Sequence, residues 1–239
     1  MKTRSAPILA TVAALLMTGP ASAAGLTPYV ATYSVAYSSM SVGESRMELH
    51  RDSQPGRWAM TSRSNARGLA RLVAPGELVQ SSWIDLEGAR VRPLRYRFDD
   101  GGDGEKNVSL DFDWAAGRVK GTSEGKPVDV AAVPGLQDSL TLQVSAALTL
   151  GQGGKLESLA MIEKDKVKLY RYVFERRETL TTPLGKLDTL VYRSERSGSD
   201  RYSRLWYAPA LGYVNVRAEQ FRGDKRLFSL QIKTYKAGD

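Results

Sequence analysis

The sequence has no cysteine and a single histidine, His50. The first absence excludes disulfides, thiol nucleophiles, thiolate metal ligands and dithiol redox motifs. The second leaves too few ligands for a zinc site and makes any Ser–His chemistry depend on one residue near the end of an early β-rich run. Long apolar stretches are also missing. Beyond the amino terminus, nothing approaches the ~18 uninterrupted apolar residues of a membrane-crossing helix. No run of five or more Lys and Arg occurs, so the formal charge of +8 is dispersed. Nucleic-acid binding therefore has no support.

The amino terminus is different in kind. Lys2 and Arg4 precede an apolar run from Pro7 to Met17, and Ala21-Ser22-Ala23 places small residues where a signal peptidase reads them. The run is too short to span a bilayer, so residues 1–23 read as a cleaved secretory signal and 24–239 as the mature domain. No cysteine stands near the cleavage point to carry a lipid anchor. The expectation is a soluble, exported, periplasmic protein with no integral span. Without disulfides it must rely on its hydrophobic core, which a chain of this length can build. Loss of Lys2 and Arg4 leaves it mildly basic. That charge reads as scattered and solvated, with attraction to anionic envelope surfaces as the second reading.

What remains is dominated by period-two alternation. Tyr29–Tyr37 and Val42–His50 read as an opening hairpin around a Ser-Ser-Met-Ser turn, followed by Arg57–Ala66. Gly68 to Val73 is a short apolar piece halted by Pro75-Gly76, read as a helical turn or a loop plugging an open end. Leu78–Leu86, Val91–Asp99, Asn107–Trp114, Arg118–Thr122 and Val128–Val133 follow at meander spacing, separated by glycine-rich turns. Leu94, Tyr96 and Phe98 alternate with Arg95, Arg97 and Asp99, the pattern of strands with one apolar and one polar face. Asp138 can cap a helix from Ser139 to about Leu150, with Leu140, Val144, Ala147 and Leu148 on one stripe. This segment, near residues 138–150, is expected to be amphipathic and to cover a face or mouth of the sheet. Strands resume at Lys155–Ile162 and run through Tyr170–Glu178, Leu187–Glu195, Tyr202–Tyr207 and Gly212–Phe221 to Lys225–Tyr235. The fold class is mainly β. One curved antiparallel sheet of about fourteen short strands, a barrel or half-barrel with a single helix, accommodates them.

No catalytic signature emerges. Gly121-Thr122-Ser123-Glu124-Gly125 has the letters of a nucleophile elbow, but a further strand follows where that motif needs a helix. Asp99 to Gly104 has a calcium loop's acids at positions 1 and 5. However, Gly101 and Leu110 stand where ligands are required, so it reads as a hairpin turn. Asp111 and Asp113 share a strand face, though nothing gives them the spacing of a glycosidase pair. No cofactor or metal is expected, and the protein is read as a non-enzyme.

The remaining signal is aromatic. Tyr202, Arg204 and Trp206 alternate on one strand and Tyr213 and Arg217 on the next. They read either as a ligand wall, with rings for acyl chains or sugars and arginines for anionic groups, or as an amphipathic exterior. Glu178–Ala218 also carries Thr182-Pro183-x-Gly185, a Trp206-x-x-Pro209 strand end and Gly212-Tyr213-x-x-Val216-Arg217. With the Arg92-Pro93-Leu94-Arg95-Tyr96 run and the Asp138 helix start, this text resembles domain-of-unknown-function family 3108, exported bacterial β-rich proteins. The resemblance implies a fold and a compartment and no chemistry. A looser likeness in shape, to the half-barrels of periplasmic lipoprotein carriers, rests on fold alone. The functional expectation is a periplasmic binding or carrier protein for a lipidic or amphiphilic ligand. The alternative is an envelope scaffold or chaperone for another exported or outer-membrane protein.

Overall fold

The structure, a computed structural model, describes residues 25–72, 76–88 and 90–238. The signal sequence read at 1–23 lies outside the described residues. Eight strands form a first meander: β1 (Tyr29–Tyr37), β2 (Met40–Arg51), β3 (Arg57–Ala66), β4 (Glu77–Glu87), β5 (Arg90–Asp99), β6 (Val108–Asp113), β7 (Arg118–Ser123) and β8 (Lys126–Ala131). The one α-helix among the described residues, α1 (Thr141–Gly151), follows. A second meander comprises β9 (Ser158–Glu163), β10 (Lys166–Thr182), β11 (Gly185–Glu195), β12 (Arg201–Ala208), β13 (Val214–Arg222) and β14 (Lys225–Ala237).

The two meanders fuse where the first and last strands pair antiparallel, Tyr29 opposite Ala237 and Tyr37 opposite Phe228. The result is a single sheet of fourteen strands with β8 and β9 at its two edges. Strand twist accumulates over so many strands, and bulges sharpen it, among them one at Thr32/Tyr33 and one at Trp206/Tyr207. The sheet therefore curls until its edges approach each other. Leu110, Phe112, Val119 and Val128 from β6–β8 share a buried cluster with Ile162 of β9. The sheet does not close by itself. Its gap is bridged by the segment after β8: the Gln137 N–H donates to Ala160 O (2.8 Å), and the Ile162 N–H donates to Gln137 O (2.9 Å).

The helix lies inside the curl. Leu140, Val144 and Leu148 pack into the main core with Met60, Ile84 and Ile232. On its other side Ala146 and Leu150 pack with Tyr172, Tyr192 and Tyr207. No helix residue is exposed, which differs from the amphipathic cover expected from the sequence. A helix enclosed by a curved sheet meets apolar wall on two opposite sides, and the expected stripe was only one of them. The helix proper also starts at Thr141, later than Ser139, because Asp138 caps it from two residues outside. Asp138 Oδ1 accepts the Leu140 and Thr141 N–H groups (2.9 Å each) and the Ser82 hydroxyl (2.7 Å). Thr141 Oγ1 reciprocates by accepting the Asp138 N–H at 2.9 Å.

This arrangement gives the curl two unlike ends. The lower end holds the start of β1, the end of β12 and the carboxyl end of α1. The upper end holds the turns at Ser38, Glu124, Lys164 and Gly223.

Candidate ligand cavity

A cavity of about 330 Å³ remains above the amino-terminal end of α1. Its floor is Ser139, Leu142 and Gln143. Its wall is the inward face of the second meander, set by register: Tyr172 opposes Ser194, which opposes Ser203, which opposes Gln220. One row lower, Tyr192 opposes Leu205, Leu205 opposes Ala218, and Ala218 opposes Leu230. Tyr33 of β1, Met47 of β2 and Met161 of β9 complete the apolar lining. At the upper end Tyr37 and Phe228 pack edge-to-face with centroids 5.0 Å apart. Both are substantially exposed, as is Met40 at the same hairpin tip.

The polar groups of the cavity are mostly committed. Tyr33 Oη donates to Asn215 O at 3.1 Å, and the Tyr170 hydroxyl donates to the Glu163 carboxylate. Burial pushes the Tyr172 hydroxyl up to about 12, partly offset by its contact with Ser194. Burial likewise pushes the Tyr207 hydroxyl well above its ordinary value, as does the nearby Tyr172, while Asn215 acts in the opposite direction. All four phenols are therefore neutral hydrogen-bonding groups at physiological pH. Glu163 also faces Arg196 at 3.4 Å.

A second, smaller cavity of about 120 Å³ lies toward the carboxyl end of the helix at the lower end, between Tyr29, Val144, Leu148 and Val214. A wider depression of about 860 Å³ sits on the outer face around Arg171, Arg193 and Glu195. There Glu195 takes both Arg171 and Arg193.

Four of the five residues singled out in the sequence as a ligand wall face outward. Ser203, Leu205 and Tyr207 line the cavity, so Tyr202, Arg204 and Trp206 point to the convex side. Arg204 donates to Glu175 at 2.8 Å and lies over the Tyr202 and Phe221 rings at 5.7 and 5.6 Å. Tyr202 and Phe221 stack with centroids 4.9 Å apart. Trp206 is buried beneath Arg217, 5.0 Å from its ring, and its Nε1–H donates to Glu178 at 3.1 Å. Glu219, whose side chain is only 8% exposed, takes both Arg217 (2.5 Å) and Arg226 (2.8 Å). Four of the five singled-out residues are thus brought together, in a lattice whose arginines already have carboxylate partners. Tyr213 is not among them. Its positive φ of 61° follows Gly212 in a left-handed helix cap, which breaks the alternation with Arg217. Tyr213 instead lines the small lower cavity. Among the cavity residues, Ser203, Leu205 and Tyr207 lie on β12 in the opposite phase, and Tyr170 and Tyr172 lie on β10. The Tyr170-x-Tyr172 alternation was the signal available for them.

The other motifs resolve as turns. Gly121 to Gly125 forms the β7–β8 hairpin, with Glu124 at φ 52° and a strand after it. His50 is an exposed residue of β2 opposite Ala59. Asp100 accepts backbone N–H groups of Gly102, Gly104 and Lys106, and Asp99 that of Gly101, so these acids organise the β5–β6 loop. No group of three or more His, Cys, Asp or Glu among the described residues is placed to hold a metal ion. No helix among them is long and apolar enough to cross a membrane.

The family model DUF3108, described as a protein of unknown function, matches residues 32–225. No curated protein matches the chain significantly. A β-barrel-like protein of domain-of-unknown-function family DUF1849 from Brucella abortus superimposes with a TM-score of 0.57. It is 13% identical, with 90% of this chain and 99% of that one covered. A protein assigned as a lipoprotein from Parabacteroides distasonis and one assigned as an exported protein with a YmcC-like fold from Bacteroides fragilis are each 11% identical. Both cover 88% of this chain and 96% of their own, at a TM-score of 0.37, a level that adds nothing to the fold.

Proposed function

The chain belongs to the DUF3108 family of proteins of unknown function, and for this member we propose a non-enzymatic role: binding or carrying a small lipidic or amphiphilic ligand after export to the periplasm. The observation that carries the reading is the cavity of about 330 Å³ held between the sheet and the start of α1. Small-molecule sites run from roughly 300 to 1,000 Å³, with mostly apolar walls and a few convergent polar groups. Here Met47, Met161, Leu205, Ala218 and Leu230 offer apolar surface, while Ser139, Ser203 and Gln220 supply hydrogen-bonding groups. The exposed Tyr37, Met40 and Phe228 stand at the same upper end, where an apolar ligand would first meet protein. Because α1 fills the rest of the concave space, the occupant is compact.

The alternative, an envelope scaffold working through open strand edges, is less well supported. The β8 edge carries Lys126, Pro127 and Asp129. The lower half of β10, beyond its pairing with β9 at Arg171, carries Glu175, Arg176, Arg177 and Glu178 around a bulge. Charge, proline and bulges are the devices that protect edges from pairing.

Native mass spectrometry of protein purified from the exported fraction without detergent tests the proposal. The expected spectrum contains a species heavier than the bare chain whose extra mass is released on denaturation. A spectrum of bare chain alone contradicts a carrier.

A further inference from the structure

Charge within the cavity lining is one-sided. The lining contains a single carboxylate, Glu163, and no lysine or arginine. The other polar liners are neutral hydroxyls and amides. Four tyrosines contribute, and each turns its hydroxyl toward a protein partner: Tyr33 to the Asn215 carbonyl, Tyr170 to Glu163, Tyr172 toward Ser194 and Tyr207 toward Asn215. What the cavity receives from them is ring surface, which is electron-rich on its face. One element works in the opposite sense. The amino-terminal end of α1 forms the floor, and helix amino termini favour anions. Here that position is already taken, because the wholly buried Asp138 carboxylate accepts the Leu140 and Thr141 N–H groups. Arg204 and Arg217 lie on the far side of the sheet, bound to Glu175 and Glu219.

We propose that the cavity selects an amphiphile whose head is a small organic cation, an alkylammonium or quaternary ammonium group, seated against the Tyr170 and Tyr172 rings with Glu163 as its counter-ion. The inference rests on the reading of the cavity as a ligand site and adds the charge of the ligand to it. Aromatic rings beside a carboxylate, with no competing cation in the lining, form the setting in which cation–π attraction acts on a desolvated ammonium. Arg196, a partly exposed partner at 3.4 Å, and Lys166, opposite Glu163 in the β9–β10 register, stand near the carboxylate but outside the lining. Exposed pairs of that kind are weak and yield readily.

Calorimetric titration of the exported protein with octyltrimethylammonium, octanoate and 1-octanol, each below its aggregation concentration, tests the inference. Wild type is expected to bind the ammonium at least about tenfold more tightly than octanoate, the size of one such charge-selective contact. Glu163→Gln is expected to remove most of that preference, read as the ratio of the ammonium to the octanoate dissociation constant. Tyr170→Leu, which keeps the carboxylate and deletes the ring, should weaken the ammonium selectively as well. Equal or tighter binding of octanoate, or a preference unaffected by Glu163→Gln and Tyr170→Leu alike, overturns the cationic assignment and leaves the ligand cavity standing. Binding of none of the three overturns the ligand-site reading itself, and the assignment falls with it.

Discussion

Asp138→Ala is expected to destabilise the protein by ~3 kcal/mol, read as a fall in the urea midpoint at unchanged slope. Losing a helix cap costs about 1 kcal/mol, and stranding a buried donor adds about 1–3 kcal/mol. The substitution strands the Leu140 and Thr141 N–H groups and the Ser82 hydroxyl together. Against a typical total of about 5–15 kcal/mol this is a large fraction. The same residue has a pH signature. Burial raises the Asp138 carboxyl from 3.8 to about 6, although its hydrogen bonds pull the other way. Its Oδ2 is buried with no partner, consistent with a site that tolerates the proton. Between about pH 4 and 6 the folded state holds a proton that the unfolded chain has released. This group therefore makes the protein more stable as pH falls through that window, by up to ~3 kcal/mol. Glu178 and Glu195 are held below the usual carboxylate range and act in the opposite direction, so the absolute curve mixes the two. The difference between wild type and Asp138→Asn isolates the site. It should move in favour of wild type from pH 7 to pH 4.5, and a flat difference would contradict a buried ionisable cap.

The second large effect is expected at Ala146→Glu, which should cost ~4 kcal/mol or more. Overpacking a filled site costs about 1–3 kcal/mol, and an unpaired buried carboxylate adds several more. Ala146 is 1% exposed and packs with Tyr172, Tyr192 and Tyr207. The substitution separates two pictures of the helix. On an amphipathic cover, Ala146 would lie off the Leu140–Val144–Leu148 stripe, and a glutamate there would change stability by no more than about 0.5 kcal/mol. Gln152→Glu, at an exposed position just past the helix, supplies the neutral control. Equal midpoints for the two variants would contradict a helix packed on its Ala146 side as well as its Val144 side.

Most of the architecture was legible because its strands are amphipathic. The alternation of Tyr96 with Arg95 and Arg97 identified an inward residue of β5, whose hydroxyl donates to Gln80 and accepts from Ser139. A register shift beside Leu94, however, makes Val91 and Pro93 the buried residues of the strand's first half. The same logic failed on β12, which has aromatic or apolar side chains on both faces. Trp206 and Tyr207 are adjacent and both buried. Alternation alone does not say which of two such faces is concave. The conspicuous arginines marked the outside, since a long charged side chain with a carboxylate partner suits a convex, solvated surface. A bulge between Trp206 and Tyr207 and the positive φ at Tyr213 then shifted the phase. The helix was misread for a related reason. Its sequence carries Leu140, Val144 and Leu148 on one side and Leu142, Ala146 and Leu150 on the other, and what encloses the second side comes from strands far away in the chain.

The cavity is tested most directly by titrating wild type and Ala218→Trp with N-phenyl-1-naphthylamine, a neutral dye that brightens on entering an apolar site. Ala218 sits between Leu205 and Leu230 on the cavity wall, so an indole there occupies the space a ligand would use. Wild type is expected to bind one dye per chain, and Ala218→Trp to bind it about a hundredfold more weakly, roughly 2.7 kcal/mol. Arg204→Ala and Arg217→Ala, on the convex face, should bind as wild type does. Undiminished binding by Ala218→Trp, or loss of binding in the two arginine variants, would place the site outside the sheet and contradict a ligand held within it.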